Sequence, residues 1–222
     1  MEKMLQAMLR GSVTSLEVFF LTLLFALPLA LPFCAGRMAK NKILSNILKA
    51  FLLVIRGTPL MLQLLVVYFG PSLLCLWFNN NFGTDFRVAW PRFFAAIVAL
   101  IVNYAAYFAE IFRGGIDTIP KGQYEAAKVL KFTPGATIRY IVLPQVTKIV
   151  LPSVFNEIMS LVKDTSLVYA LGISDLILAS RTAANRDASL VPMFLAGAIY
   201  LIIIGVVTLV AKRIEKKFSY YK

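Results

Sequence analysis

The sequence predicts an all-α membrane protein of five transmembrane helices. Short cytoplasmic helices lie between the third and fourth, with the N-terminus outside and the C-terminus inside. Three observations carry this. Of the 222 residues 59% are hydrophobic and only 15% charged, against about a quarter charged in soluble domains. Five apolar runs are each near the roughly 20 residues that cross a bilayer core. The 23 Lys+Arg are spread unevenly over the connections between those runs.

The first run, residues 13–33, is too long for the apolar core of a signal peptide, and no small-residue cleavage site follows it. It is span one, and Pro28 and Pro32 are expected to bend or end its helix. A connection with Arg37, Lys40, Lys42 and Lys49 leads through a short apolar piece, 47–55, to Arg56-Gly57-Thr58-Pro59. Span two is 60–78. The loop 79–92 is poor in lysine and, with Trp77, Phe82 and Trp90, aromatic enough for a membrane–water boundary. Span three is 93–112, span four runs from about 146 to 162, and span five is 191–211. The segment 163–190 is mixed in character.

The cations then orient the chain. The connection at 37–56, the segment 113–148 and the C-terminal tail hold 16 Lys/Arg, whereas the N-terminus, the 79–92 loop and the 163–190 segment hold 7. Cationic connections stay in the cytoplasm, which places the N-terminus outside. The net charge of +12 is therefore orientation, and no nucleic-acid partner is expected. Residues 1–222 read as a single transmembrane domain. With no histidine, His-based proton relays, His-containing metal sites and Ser-His-Asp triads are excluded. Cys34 and Cys75 form no C-x-x-C and read as reduced packing residues. No catalytic residue and no metal site is expected.

The polar stretch 117–145 divides into two short helices. Pro120 suits a first helical position, and EAAKVL favours helix over 124–130. Thr133 caps a second start with Pro134 at its first position. That second helix is expected to stop near Ile141, because Pro144 disfavours helix at Leu143. Residues alone leave a solvated connector equally open.

Polar groups at membrane depth are costly and by default mark a pathway or a ligand. Glu157 sits near the middle of span four, with Ser160 and Asp164 three and seven residues on and so on one helical face. Either these carboxylates line a cavity, or Glu157 pairs with Lys163 or Arg56 and only packs helices. Glu17, in span one, either adds a negative wall or faces water at the outer interface. Asn103 suits a hydrogen bond between helices, and the role of Gln63 stays open. Arg56, Gly57, Thr58 and Pro59 interrupt apolar sequence near the cytoplasmic end of span two, a place for an inner gate. Glu110 and Arg113, one turn apart, suit a local pair.

Several blocks taken together carry a family resemblance. Gln123-Tyr124-Glu125-Ala126-Ala127 followed by Ile141-Val142-Leu143-Pro144 resembles the EAA loop of binding-protein-dependent ABC importer permeases. Arg56-Gly57-Thr58-Pro59-Leu60 with Gln63, Asn103-Tyr104-Ala105-Ala106-Tyr107 with Glu110, and Arg113-Gly114-Gly115-Ile116 resemble the polar amino-acid uptake branch. So do Leu143-Pro144-Gln145, Asn156-Glu157 and Lys163-Asp164-Thr165-Ser166-Leu167. One position departs: the family carries a glycine where this chain has Lys131. Glycine there ends the first coupling helix in a left-handed turn, so either the turn differs or Thr133-Pro134 makes the break.

The resemblance implies a membrane subunit that moves a polar amino acid, cationic ones included, into the cell by alternating access. Gln123, Glu125, Ala126, Ala127 and Lys131 would meet a separate ATPase subunit, the two alanines allowing close backbone approach. Glu157, Ser160, Asp164 and Glu17 would face the substrate, since carboxylates suit its ammonium group. The chain has no G-x-x-x-x-G-K-[ST], so it holds no cofactor of its own, and ATP and Mg belong to the partner ATPase. Other expected partners are an extracytoplasmic substrate-binding protein, membrane lipid, and a second copy or a paralogue, because five spans are too few for a complete path. The expected location is a bacterial inner (plasma) membrane. A small dimeric ion-coupled secondary transporter is the alternative, though it would have no use for the 117–145 segment. An intramembrane enzyme lacks any recognisable site.

Overall fold

A computed structural model describes residues 2–218; Met1 and residues 219–222, the end of the basic tail, lie outside the described residues. The described residues form nine α-helices and no strand: α1 Glu2–Arg37, α2 Lys42–Gly57, α3 Leu60–Phe82, α4 Arg92–Asp117, α5 Lys121–Val129, α6 Pro134–Thr137, α7 Leu143–Asp164, α8 Leu176–Asp187 and α9 Val191–Lys217. A π-helical turn, Ile138–Val142, joins α6 to α7, and a 3-10 turn, Thr165–Leu171, extends α7. Five helical runs among the described residues are long and apolar enough to cross a membrane.

Each expected span lies inside one of those runs, and the helices are longer. The run 13–33 belongs to Glu2–Arg37, 93–112 to Arg92–Asp117, and 146–162 to a continuous stretch Pro134–Leu171. Pro28 and Pro32 neither end α1 nor interrupt it. Each proline removes one ladder donor, and close packing of α1 on α4 holds the helix continuous through them. The connection after span one contains a full helix, α2, started by Asn41, whose side chain accepts from Ile43 N at 2.9 Å.

Helix α4 is the centre of the bundle, touching α1, α2, α3 and α7. Its sequence explains this. Ala95, Ala96, Ala99, Ala105, Ala106 and Ala109 are all buried, and small residues let helices approach closely where no hydrophobic effect drives them together. Farther along, Gly115 faces Val146 and Val150 of α7 so closely that a Cβ there would collide with the Val150 side chain. By contrast α3 and α9 leave most of their apolar surface exposed.

The expected break before Leu143-Pro144 does not occur. Leu143 N–H reaches back to Ile138 O, five residues away, rather than to the usual fourth. This π turn absorbs the place where the Pro144 ring would otherwise meet the preceding turn. Helix therefore continues from α6 through the π turn into α7 without a break.

The end of α5 keeps the family's turn without its glycine. Lys131 has φ 57°, Phe132 N–H bonds Ala127 O at 2.9 Å, and Lys131 N–H bonds Lys128 O at 2.9 Å. Those two bonds form the left-handed C-terminal cap that glycine ordinarily makes. Thr133 also caps α6, accepting from Ala136 N at 3.3 Å. Both devices offered by the sequence are thus used in succession.

Candidate functional site

The elbow between α2 and α3 is built by residues that look unrelated in sequence. Helix α2 ends at Gly57 with unpaired carbonyls, as every helix C-terminus does. Gln63, one turn into α3, meets one of them and the residue that follows the helix: its Nε2 donates to Ile55 O at 2.6 Å, Thr58 O at 3.2 Å and Thr58 Oγ1 at 2.8 Å. The Gln63 Oε1 accepts from Asn103 Nδ2 of α4 at 3.0 Å. Four residues on, the Tyr107 hydroxyl donates to Arg56 O at 3.3 Å, and the Arg56 guanidinium lies 5.3 Å from the Tyr107 ring centre. Arg56, Gly57, Thr58 and Pro59 are therefore a bend clasped by one face of α4.

A second cluster lies farther toward the C-terminus of α4. Glu110 binds Arg37 of α1 at 3.2 Å, Arg113 at 2.9 Å and Arg56 at 3.8 Å, while Arg113 also pairs with Asp117. One carboxylate thus ties α1, the elbow and α4 together. The local Glu110–Arg113 pair expected from sequence exists, but it is only a third of what Glu110 does.

Between these clusters and α7 lies the candidate binding face. Helix α7 carries Glu157, Ser160 and Asp164 on one side. The buried Tyr104 donates its hydroxyl to Asp164 Oδ2 at 2.7 Å, and Glu157 lies within electrostatic reach of the same hydroxyl. Glu157 is half-buried and makes no hydrogen bond or ion pair among the described residues; Arg56 and Asp164 are the charges that act on it. The pairing of Glu157 with Lys163 or Arg56 does not form, since Arg56 is engaged with Glu110. Ser160 is half-buried and free of hydrogen bonds among the described residues. This leaves a carboxylate and a hydroxyl open beside a carboxylate already oriented by tyrosine, an arrangement that can accept hydrogen bonds from a cationic group.

Glu17 is not part of this face. It is exposed on α1 and lines a separate, largely apolar groove with Phe93. Among the residues expected to meet an ATPase, Gln123, Glu125, Ala126 and Lys131 are exposed. Ala127 is 1% exposed, so its side chain packs against its own chain. Val129 and Leu130 are 82% and 68% exposed and supply the apolar surface that Ala127 does not. Tyr104 as the partner of Asp164 was not foreseen. The spacing of Asn103, Tyr107 and Glu110, four and then three apart, was the available signal for one working face of α4.

The model of the binding-protein-dependent transport system inner membrane component family matches residues 19–220. The chain is 39% identical to the arginine transport system permease protein ArtQ of Bacillus subtilis (strain 168), over 75% of this chain and 71% of that one. It is 35% identical to the nopaline transport system permease protein NocM of Agrobacterium fabrum (strain C58), over 88% and 80%. Among solved structures, a chain of an amino acid ABC transporter crystallised with histidines superposes with a TM-score of 0.82 at 29% identity, covering 98% of this chain and 96% of that one. A chain of the inward-facing MetNI methionine ABC transporter gives 0.74 at 19% identity over 99% of each chain, a likeness of fold alone. The family match takes in the elbow, the α4 clasp, α5 and the two-carboxylate face of α7, and the chain belongs to the binding-protein-dependent transport system inner membrane components.

Proposed function

We propose that this permease subunit passes a polar, cationic amino acid through the membrane by alternating access, with Glu157, Ser160 and Asp164 as its binding face. The observation that carries the reading is the half-buried Glu157, an acid in a membrane-spanning helix with no ion pair among the described residues. An acid kept there without a partner is costly unless a ligand supplies the counter-charge. The relatives named for arginine and nopaline transport agree with a substrate that carries a cationic group. Tyr104 orients Asp164, and the elbow at Arg56-Gly57-Thr58-Pro59, held by α4, is the inner gate.

The chain is a transport subunit and not an enzyme, and ATP hydrolysis belongs to a separate ATPase. In this proposal that ATPase binds the ATP and Mg and docks on α5 through Gln123, Glu125, Ala126 and the exposed Val129 and Leu130. The π turn carries that contact into α7 without a break. An extracytoplasmic binding protein delivers the substrate, and a second copy or paralogue completes the path in a bacterial inner membrane.

The test is ATP-driven uptake in proteoliposomes containing the permease with its ATPase and binding protein, and labelled amino acids of different charge. Glu157→Gln is expected to lower uptake of the cationic substrate by about tenfold or more, the loss of one charge-assisted hydrogen bond. Uptake that needs ATP yet ignores Glu157→Gln removes the binding face. Uptake without the ATPase would restore an ion-coupled transporter.

A further inference from the structure

Two cavities stand in line along α1, away from the proposed substrate face. The upper one, about 460 Å3, lies between the N-terminal turns of α1 and the length of α8 and is lined by Lys3, Gln6, Arg10, Ser174, Thr182 and Arg186, among others. Lys3 and Arg10 make no ion pair among the described residues, whereas Arg186 is held by Asp187 at 2.6 and 2.8 Å. The lower cavity, about 440 Å3, is formed by Val13, Leu16, Glu17, Phe20 and Leu21 with Phe93 of α4. Gln6, Arg10, Val13 and Glu17 follow one another at spacings of three and four, so the two cavities share one side of the helix.

Depth gives these cavities their meaning. The apolar run begins at Val13, so Arg10 stands about 5 Å beyond the hydrocarbon edge and Lys3 about 15 Å, at the 1.5 Å rise of a helix. Phe20 and Leu21 lie inside the hydrocarbon. Cations at the edge followed by an apolar groove at membrane depth complement an amphiphile with an anionic head. A water-soluble acidic protein would match the upper cavity but not the lower. Exposed Leu5, Leu9 and Val13 continue the apolar surface up beside the cations. Glu17, about 10 Å below Arg10, disfavours a second anionic group at that depth and accommodates the neutral part of a lipid. The acids near the upper cavity are Glu2, which accepts from Gln6, Asp187, which is paired with Arg186, and Asp175, which is fully buried as the cap of α8. None of them neutralises Lys3 or Arg10.

We infer that Arg10, Lys3 and the groove beneath them form a binding site for one anionic phospholipid, its phosphodiester at Arg10 with Lys3 reaching down from above it, and an acyl chain against Phe20, Leu21 and Phe93. The site lies in the leaflet at the N-terminal end of α1 and is independent of which substrate is carried.

Native mass spectrometry of the purified permease–ATPase complex tests this, with phosphatidylglycerol and phosphatidylcholine of the same chain length. Both target side chains are exposed, so Lys3→Gln with Arg10→Gln leaves packing untouched. Arg87→Gln, in the loop between α3 and α4, is the charge control. The double variant is expected to lose phosphatidylglycerol retention on the order of 30-fold, two juxtamembrane cations at about 1 kcal/mol each, with the control unchanged. Phe20→Ser is expected to weaken retention while leaving the preference for phosphatidylglycerol. Equal retention of phosphatidylcholine, an unaffected double variant, or equal binding of soluble glycerophosphoglycerol would each overturn the site. So would protection of Arg10 from arginine-specific labelling by a second permease copy in lipid-free detergent.

Discussion

Tyr104 and Glu157 show how one residue's surroundings decide its work. Both carry a polar group into a membrane-spanning helix, where an unpaired group is expensive. Tyr104 resolves that cost by donating to Asp164, while Glu157 has no such partner among the described residues. Tyr104→Phe removes the donor and leaves a carboxylate oxygen half-buried without it. A loss of about 1.5–3 kcal/mol of stability is expected, read as a lowered unfolding midpoint of the detergent-solubilised protein. An unchanged midpoint would mean that the Tyr104–Asp164 bond does not form. Gln63 belongs to the same scale. Nothing near it in sequence says that it closes the end of the preceding helix, because its partners Ile55 and Asn103 are supplied by a bend and by a different helix.

At the scale of elements, the segment from α5 to α7 was legible in part. Thr133-Pro134 marked a helix start, and the structure uses it. In the sequence Pro144 reads as a stop; in the structure it is not one, because a π turn upstream moves the carbonyl that the proline would have met. Lys131 shows a cost that packing overrides. A side chain in left-handed backbone costs roughly 1–2 kcal/mol, yet the two cap hydrogen bonds hold it there. Lys131→Gly relieves that strain and, after the extra flexibility of glycine is counted, is expected to add about 0.5–1 kcal/mol to local stability. Slower amide exchange across α5 and α6 would show it. Faster exchange would show that Lys131 makes contacts outweighing its strain.

At the scale of the molecule, the charge distribution gives a prediction about orientation. Sixteen of the 23 Lys+Arg lie in the connections assigned to the cytoplasm, so the N-terminus of α1 is expected outside and the α5 region inside. In a Cys75→Ala background, single cysteines placed at Gln6 and at Gln123 should react with a membrane-impermeant maleimide on opposite sides of intact cells. Labelling of both from one side would refute the orientation. The buried Cys34 serves as the unreactive internal reference. Exposed apolar surface on α3 and α9 is what a lipid-embedded subunit requires.

The sequence by itself determined the five spans, the uneven charge and the family blocks, because apolar length, cation placement and motif order are properties of a linear chain. It also located α5 and the cap at Thr133. It did not determine that α4 is the central helix, that Glu110 joins three cations, or that Tyr104 meets Asp164 sixty residues away. Nor did it separate Glu17 from Glu157, since two acids in apolar runs look alike until the helices carrying them are packed. Only tertiary structure decides such pairings. In a membrane an unpaired buried polar group is costly, and which partner it finds depends on which helix faces stand side by side.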